Sequence, residues 1–138
     1  LENETHIYGD TPERCGQLMA ALAGLKVKMA FDPANFVSID QVPVYQRCWV
    51  PLRRYVGYFH MKDQVREPTR HAVPVGQGEG DCDKILREVA DSGYDGFLAL
   101  EPHLSKAGQF SGFTGPELFV VAATALKKLC AKVGMAVA

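Results

Sequence analysis

Four times along this chain a short apolar run stops at a side chain able to hold a metal ion. The stops are Glu2, Asp32, His60 and Glu101, separated by 30, 28 and 41 residues. The clearest run is Val56 to Asp63. Val56, Tyr58 and Phe59 carry the β-branched and aromatic signature of a buried strand, and His60, Lys62 and Asp63 crowd polar groups into its end. Each spacing is about one strand–helix unit with its loops. In parallel α/β folds the carboxyl ends of the strands open on one face, where ligands bind. Residues far apart in sequence would then meet at one point.

The segments between the stops read as helices. Leu1 to Glu4 reads as the tail of a strand. Asp10 or Thr11 can cap a helix that opens on Pro12 and Glu13, with Cys15, Leu18, Met19 and Leu22 on one face and Gly24 as its end. Leu25 to Phe31 alternates like a strand and closes on Asp32-Pro33-Ala34-Asn35. Pro43 to Tyr55 forms the next helical pattern, which Pro51 should kink or break. Arg66 to Gly80 reads as one long loop, a length that marks a candidate functional segment. Asp81 is expected to cap a helix that buries Ile85, Leu86, Val89 and Ala90 and stops at Gly93. Gly96 to Leu100 is a short strand, and Leu104 to Thr114 a second long loop with turn positions at Gly108, Gly112 and Gly115. The last helix, Pro116 to Lys132, is expected to turn Leu118, Ala122, Leu126 and Leu129 inward and Lys127, Lys128 and Lys132 outward.

About four parallel βα units follow from this alternation, with right-handed crossovers. Periodicity alone leaves two architectures, a small doubly wound domain or part of a (β/α)₈ barrel, which normally needs ~250 residues. The four strand-end ligands in phase favour the barrel. Three carboxylates and one imidazole make a hard-to-borderline set, suited to Mn²⁺, Mg²⁺, Co²⁺ or Zn²⁺. Residues 1–138 are expected to form one domain.

Composition removes several classes. A net charge of −1 gives no electrostatic case for nucleic acid or an acidic membrane. No apolar run reaches membrane-spanning length. Cys15, Cys48, Cys82 and Cys130 form no CxxC pair and read as reduced thiols of a cytoplasmic protein, with neither a disulfide frame nor a zinc site. The Gly76-x-Gly78-x-Gly80 run follows a loop, with glycines too close for a dinucleotide fingerprint, and reads as a tight turn before the next helix.

Several stretches together resemble the xylose isomerase-like TIM barrels, the sugar phosphate isomerase/epimerase superfamily. They are Glu2-Asn3, Asp32-Pro33-Ala34-Asn35, His60-Met61-Lys62-Asp63, the Val73–Gly80 loop and Gly93-Tyr94-Asp95-Gly96-Phe97-Leu98-Ala99-Leu100-Glu101-Pro102. That family includes D-tagatose 3-epimerase and inosose dehydratase. The resemblance covers the C-terminal half of the family's barrel. It implies an α/β fold, half of a (β/α)₈ TIM barrel, with Glu2, Asp32, His60 and Glu101 as ligands of a divalent metal, Mn²⁺ first among the candidates. It also implies a metal-dependent sugar or keto-polyol isomerase or epimerase acting through a metal-bound enediolate, with Glu2 and Glu101 exchanging protons with the substrate. The alternatives are an inosose-type dehydratase of the same fold and a non-catalytic sugar-binding relative. A nuclease of the endonuclease IV kind is disfavoured by the charge and by the small number of histidines, four.

The resemblance suggests further substrate contacts at Asn35, Lys62, Arg66 and His103. Asn35 stands where many relatives carry a histidine, and otherwise reads as an Asx-turn residue. Lys62 suits a substrate phosphate or carboxylate, or a pair with Asp63; His103 can orient Glu101. His6 and His71 fall in loops expected to line the mouth of the site. Four units do not close a barrel, so the expected setting is a longer protein or a partner half, the latter supplied by a second copy.

Overall fold

The computed structural model describes residues 1–104 and 115–137. In chain order the elements are α1 (Pro12–Ala21), β1 (Met29–Phe31), α2 (Pro33–Ser38), a broken helical stretch from Tyr45 to Tyr55 that contains α3 (Val50–Leu52), β2 (Val56–Met61), β3 (Asp63–Val65), β4 (His71–Val73), α4 (Cys82–Asp91), β5 (Leu98–Leu100) and α5 (Pro116–Val133). The expected Gly108 and Gly112 turns lie outside the described residues.

β1, β2 and β5 form a parallel sheet in that order. Glu2 adds a further parallel bridge to Ala30 at the β1 edge. Four passes of the chain therefore lie side by side in sequence order. A doubly wound sheet would reverse direction at a switch point; a barrel does not. The two faces of the sheet also differ. Met29, Phe31, Phe59 and Met61 point into the core against the helices. Phe31 packs on Phe36 and Trp49 with ring centroids 5.4 Å away in each case. Ala30, Tyr58, His60 and Ala99, on the alternate face, are only half covered.

The helices follow their sequence signals with some exceptions. Thr11 Oγ1 accepts from the Arg14 amide at 3.3 Å and caps α1. The break expected at Pro51 is present: a π turn over Tyr45–Trp49 precedes α3, and a 3-10 turn over Arg53–Tyr55 follows it. Proline offers no amide to the preceding turn, which is the usual cause of such a break. Gly93 ends α4 with φ +72. Asp81, expected as its cap, holds the N-cap position in the left-handed region and makes no capping bond. Its oxygens instead accept from the Tyr45 amide at 3.1 Å and from Lys84 Nζ at 2.6 Å. Leu118, expected inward, is exposed in the first turn of α5, while Ala122, Leu126 and Leu129 are buried as anticipated.

Three further expectations are corrected. The strand expected from Leu25 begins only at Met29, and Leu25 is exposed. The segment after Asp32 is a helix, α2, opened by Asp32 as N-cap and Pro33 in its first turn. The loop expected from Arg66 to Gly80 contains a strand, β4, which pairs antiparallel with β3 just ahead of the loop in a hairpin joined by residues 66–70. Its three-residue strands are too short for periodicity to reveal. The hairpin returns the glycine run to Asp63, with the Glu79 amide donating to the Gln64 carbonyl at 2.9 Å.

Candidate metal centre

The register explains the convergence. Along β2 the period of two puts His60 and Lys62 on the half-covered face, opposite Phe59 and Met61. His60 pairs with Ala99, so Glu101, two residues on, falls beside Lys62 on that face. Ala30 pairs with Tyr58 and bridges to Glu2, so Glu2 and Asp32 join the same face from the other side. One ligand atom from each of Glu2, Asp32, His60 and Glu101 lies within 4.8 Å of all the others.

His60 Nδ1 is 2.7 Å from Glu2 Oε1 and 3.7 Å from Glu101 Oε2. Lys62 Nζ sits between the remaining carboxylates, 2.9 Å from Asp32 Oδ2 and 3.0 Å from Glu101 Oε2. His103 Nε2 is 3.5 Å from Glu101 Oε1, in place to orient it. Asp32 is fully buried and its two oxygens are treated differently. Oδ1 accepts from the Asn35 amide at 3.0 Å and caps α2. Oδ2 is at ion-pair distance from Lys62 but out of hydrogen-bond alignment, and it accepts no hydrogen bond among the described residues.

Burial drives the Asp32 carboxyl up to about 6 against the pull of Lys62 and the Asn35 amide, and the Glu101 charge adds to the rise. Burial also works to raise Glu101, but Lys62, His103 and His60 outweigh it and hold its carboxyl below the ordinary range. Burial pulls the Lys62 ammonium down, and Asp32 and Glu101 overcome that and raise it. The centre therefore faces three carboxylates towards one ammonium and one imidazole, an excess of negative charge in a partly dry place. A buried carboxylate oxygen with no aligned donor, beside two glutamates and an imidazole, fits a divalent cation.

Other proposed contacts fall elsewhere. The Asn35 side chain donates through Nδ2 to the Asn3 backbone carbonyl at 3.0 Å. Arg66 pairs with Glu79 at 2.7 Å and reaches Asp40 at 3.4 Å, next to the hairpin. Lys62 does not pair with Asp63. Asp63 accepts from the amides of Gly76, Gly78 and Gly80 at 2.9, 3.0 and 3.0 Å, and from the Gln64 amide at 2.9 Å. His71 is exposed and bonded to the Thr69 carbonyl at 2.6 Å, and His6 is exposed.

A family model described as xylose isomerase-like TIM barrel matches residues 1–129. The chain belongs to this family. Two solved structures share its fold. One is the xylose isomerase domain protein from Planctomyces limnophilus, 18% identical with a TM-score of 0.66 over 97% of this chain and 45% of that one. The other is the probable 3-DHS dehydratase AsbF, involved in petrobactin synthesis, from Bacillus anthracis, 18% identical with a TM-score of 0.64 over 92% of this chain and 48% of that one. Comparison with curated proteins gives no match. The chain spans just under half the length of the two solved structures. It is a half of the xylose isomerase-like barrel, and the cluster stands at the carboxyl ends of that half's strands.

One residue that sequence reasoning missed is Asn3. Its side chain donates to the Asp32 carbonyl at 2.7 Å and accepts from the Asp32 amide at 2.9 Å. This reciprocal pair substitutes for a strand ladder and fixes the Asp32 backbone beside Glu2. A lone asparagine after a glutamate carries no sequence signal for that task. No described helix is long and apolar enough to cross a membrane.

Proposed function

We propose that this chain supplies the metal-binding half of a divalent-metal-dependent isomerase or epimerase acting on a sugar or keto-polyol. The observation that carries the reading is the meeting of Glu2, Asp32, His60 and Glu101 at one point on the open face of the sheet. Those four residues would hold the ion, Mn²⁺ first and Mg²⁺, Co²⁺ or Zn²⁺ as alternatives, and the ion would polarise a substrate carbonyl.

The remaining chemistry is proton transfer by this chain's own carboxylates. Glu101, held ionised by Lys62, takes the proton from the carbon beside the carbonyl. Glu2, hydrogen-bonded to His60 Nδ1, delivers one drawn from solvent, and Glu101 passes the proton it took back to solvent. Return to the same carbon from the opposite face inverts it; return to the neighbouring carbon isomerises the sugar. Loss of a β-hydroxyl after the same first step would be a dehydration, and AsbF is the similar fold that favours this second reading. Among the described residues no strand pairs with the outer edge of β5, and this edge and the half-covered Tyr58 and Ala99 side of the sheet call for a further half-barrel, on the same polypeptide or from a second copy, to surround the substrate.

The test is Glu2→Gln and Glu101→Gln in the metal-loaded protein, assayed on an aldose, ketose and keto-polyol panel in deuterated water. Each variant should lose turnover by ~10²–10⁴-fold. One of them should retain deuterium exchange into the substrate without net inversion. Unchanged turnover in both would remove the proton-transfer roles.

A further inference from the structure

The one buried ammonium among the described residues of the cluster is also the group that stands where a metal would have to compete. Lys62 is 8% exposed, and its Nζ contacts one oxygen from each of two of the four proposed ligands, Asp32 Oδ2 and Glu101 Oε2. Asp32 Oδ2 is the same atom that lacks an aligned hydrogen bond. Its other oxygen is already the cap of α2, so Oδ2 is the oxygen left for a cation. An ammonium has no lone pair to offer a metal, and a divalent ion within a few ångströms of it is repelled strongly in a partly dry site. The lysine stem is unbranched with four rotatable bonds, so the charge can move while the strand stays fixed.

We propose that Lys62 is a built-in counter-cation that competes with the divalent metal for Asp32 and Glu101. Without metal it holds the two carboxylates together and offsets their repulsion. Metal binding requires the ammonium to leave Asp32 Oδ2. This inference rests on the metal reading of the cluster. It goes further by giving Lys62 a task opposed to ligand binding: the ammonium buried among the acids lowers metal affinity.

Wild-type protein, Lys62→Met and Lys62→Arg are stripped with chelator and titrated with Mn²⁺. Free Mn²⁺ is read by its paramagnetic resonance signal, and the thermal midpoint of each metal-free protein is recorded. Lys62→Met should bind Mn²⁺ at least about tenfold more tightly than wild type, because two cations no longer share the same oxygens. Its metal-free form should melt lower, and added Mn²⁺ should raise its midpoint more than it raises the wild type's. Lys62→Arg, which keeps the charge, should stay within about threefold of wild type. Lys62→Gln, neutral and polar, gives the same readout if the methionine variant fails to fold. Wild-type binding with equal or weaker binding by the neutral variants would overturn the competition and leave the metal centre standing. An arginine variant that shifts as far as the neutral ones would also overturn it. Absence of Mn²⁺ binding in every protein would bring down the metal reading and this inference together.

Discussion

Asp32 and Asp63 occupy matching places and are handled in opposite ways. Each stands just past the buried end of a parallel strand, and each is almost wholly withdrawn from water, at 0% and 1% exposure. Around Asp63 both oxygens are filled: three glycine amides and the Gln64 amide all donate to it. Around Asp32 one oxygen caps a helix and the other faces the cluster with only an unaligned ammonium near it. Burial raises both carboxyls, and the backbone donors oppose it at Asp63. Two carboxylates of equal burial thus part by what meets their oxygens. The fully satisfied one is tied to the backbone of the fold, and the other keeps one oxygen turned to the cluster with only the Lys62 ammonium beside it.

Of the two, Asp63 is the more sensitive to loss of its side chain. Asp63→Ala strands four amides in a mostly dry place, and removing one side of a buried, hydrogen-bonded charge costs on the order of 3–5 kcal/mol. Gly78→Ala attacks the same cradle from the other side. A Cβ there would lie 2.4 Å from Asp63 Oδ1 and 2.5 Å from the Gln64 carbonyl oxygen, and overpacking of this kind costs roughly 1–3 kcal/mol or more. Gly16→Ala, in the interior of α1 with nothing within 4 Å of the added carbon, is the control, and should stabilise by about 0.5–1 kcal/mol. Urea denaturation of the protein measures all three. An Asp63→Ala loss below about 1 kcal/mol would mean that the cradle does not hold the loop.

Asp32→Asn should show the reverse balance. The retained oxygen keeps the α2 cap, so the stability of the metal-free protein should change by about 1 kcal/mol or less. Mn²⁺ affinity should fall by at least ~10²-fold, since even residues that merely orient ligands are worth ~10–100-fold. The pair of measurements, denaturation and metal titration, separates the roles. A large loss of stability with unchanged Mn²⁺ binding would place Asp32 with Asp63 as a structural carboxylate.

The cluster was legible because its four members carry a strong side-chain signature and repeat at the period of the βα unit. Phase along the strands did the rest: Glu2, Asp32, His60 and Glu101 meet as the sequence leads one to expect. What escaped was local and made of backbone. The Asp63 cradle depends on glycines at every second position, whose amides converge only after a short hairpin has folded back. The glycine run was readable as a tight turn, but not as the partner of a residue thirteen or more positions earlier. The Lys62 bridge escaped for a related reason. Its neighbour in sequence, Asp63, points away across the strand, while Asp32 and Glu101 reach it from the adjacent strands. Asp32-Pro33-x-Asn35 carries a helix-start signal as well as a candidate ligand, and the carboxylate at a strand end draws attention from the cap.

Glu88 extends the comparison to a carboxylate at the far end of the strands, with partners made of side chains. It accepts from Tyr45 Oη at 2.9 Å and from Trp49 Nε1 at 2.8 Å, and it pairs with Arg53. Burial acts to raise it, and these three donors together lower it below the ordinary 4.5. A folded value below the unfolded one means that the unfolded chain binds the proton more readily in between. The contribution is therefore full above about pH 5 and is lost as the pH falls below 4.5 through the lowered folded value. Because the side chain is 30% exposed, solvent weakens the effect to a few tenths of a kcal/mol, at most about 1. Glu88→Gln should thus flatten the decline in stability as the pH falls below about 5, and at neutral pH it should cost a few tenths of a kcal/mol, at most about 1. Asp63, with its value raised above the ordinary 3.8, has the opposite sign: its protonation favours the folded state. Parallel acid limbs for wild type and Glu88→Gln in chemical denaturation series would show that the Tyr45, Trp49 and Arg53 donors do not hold the charge.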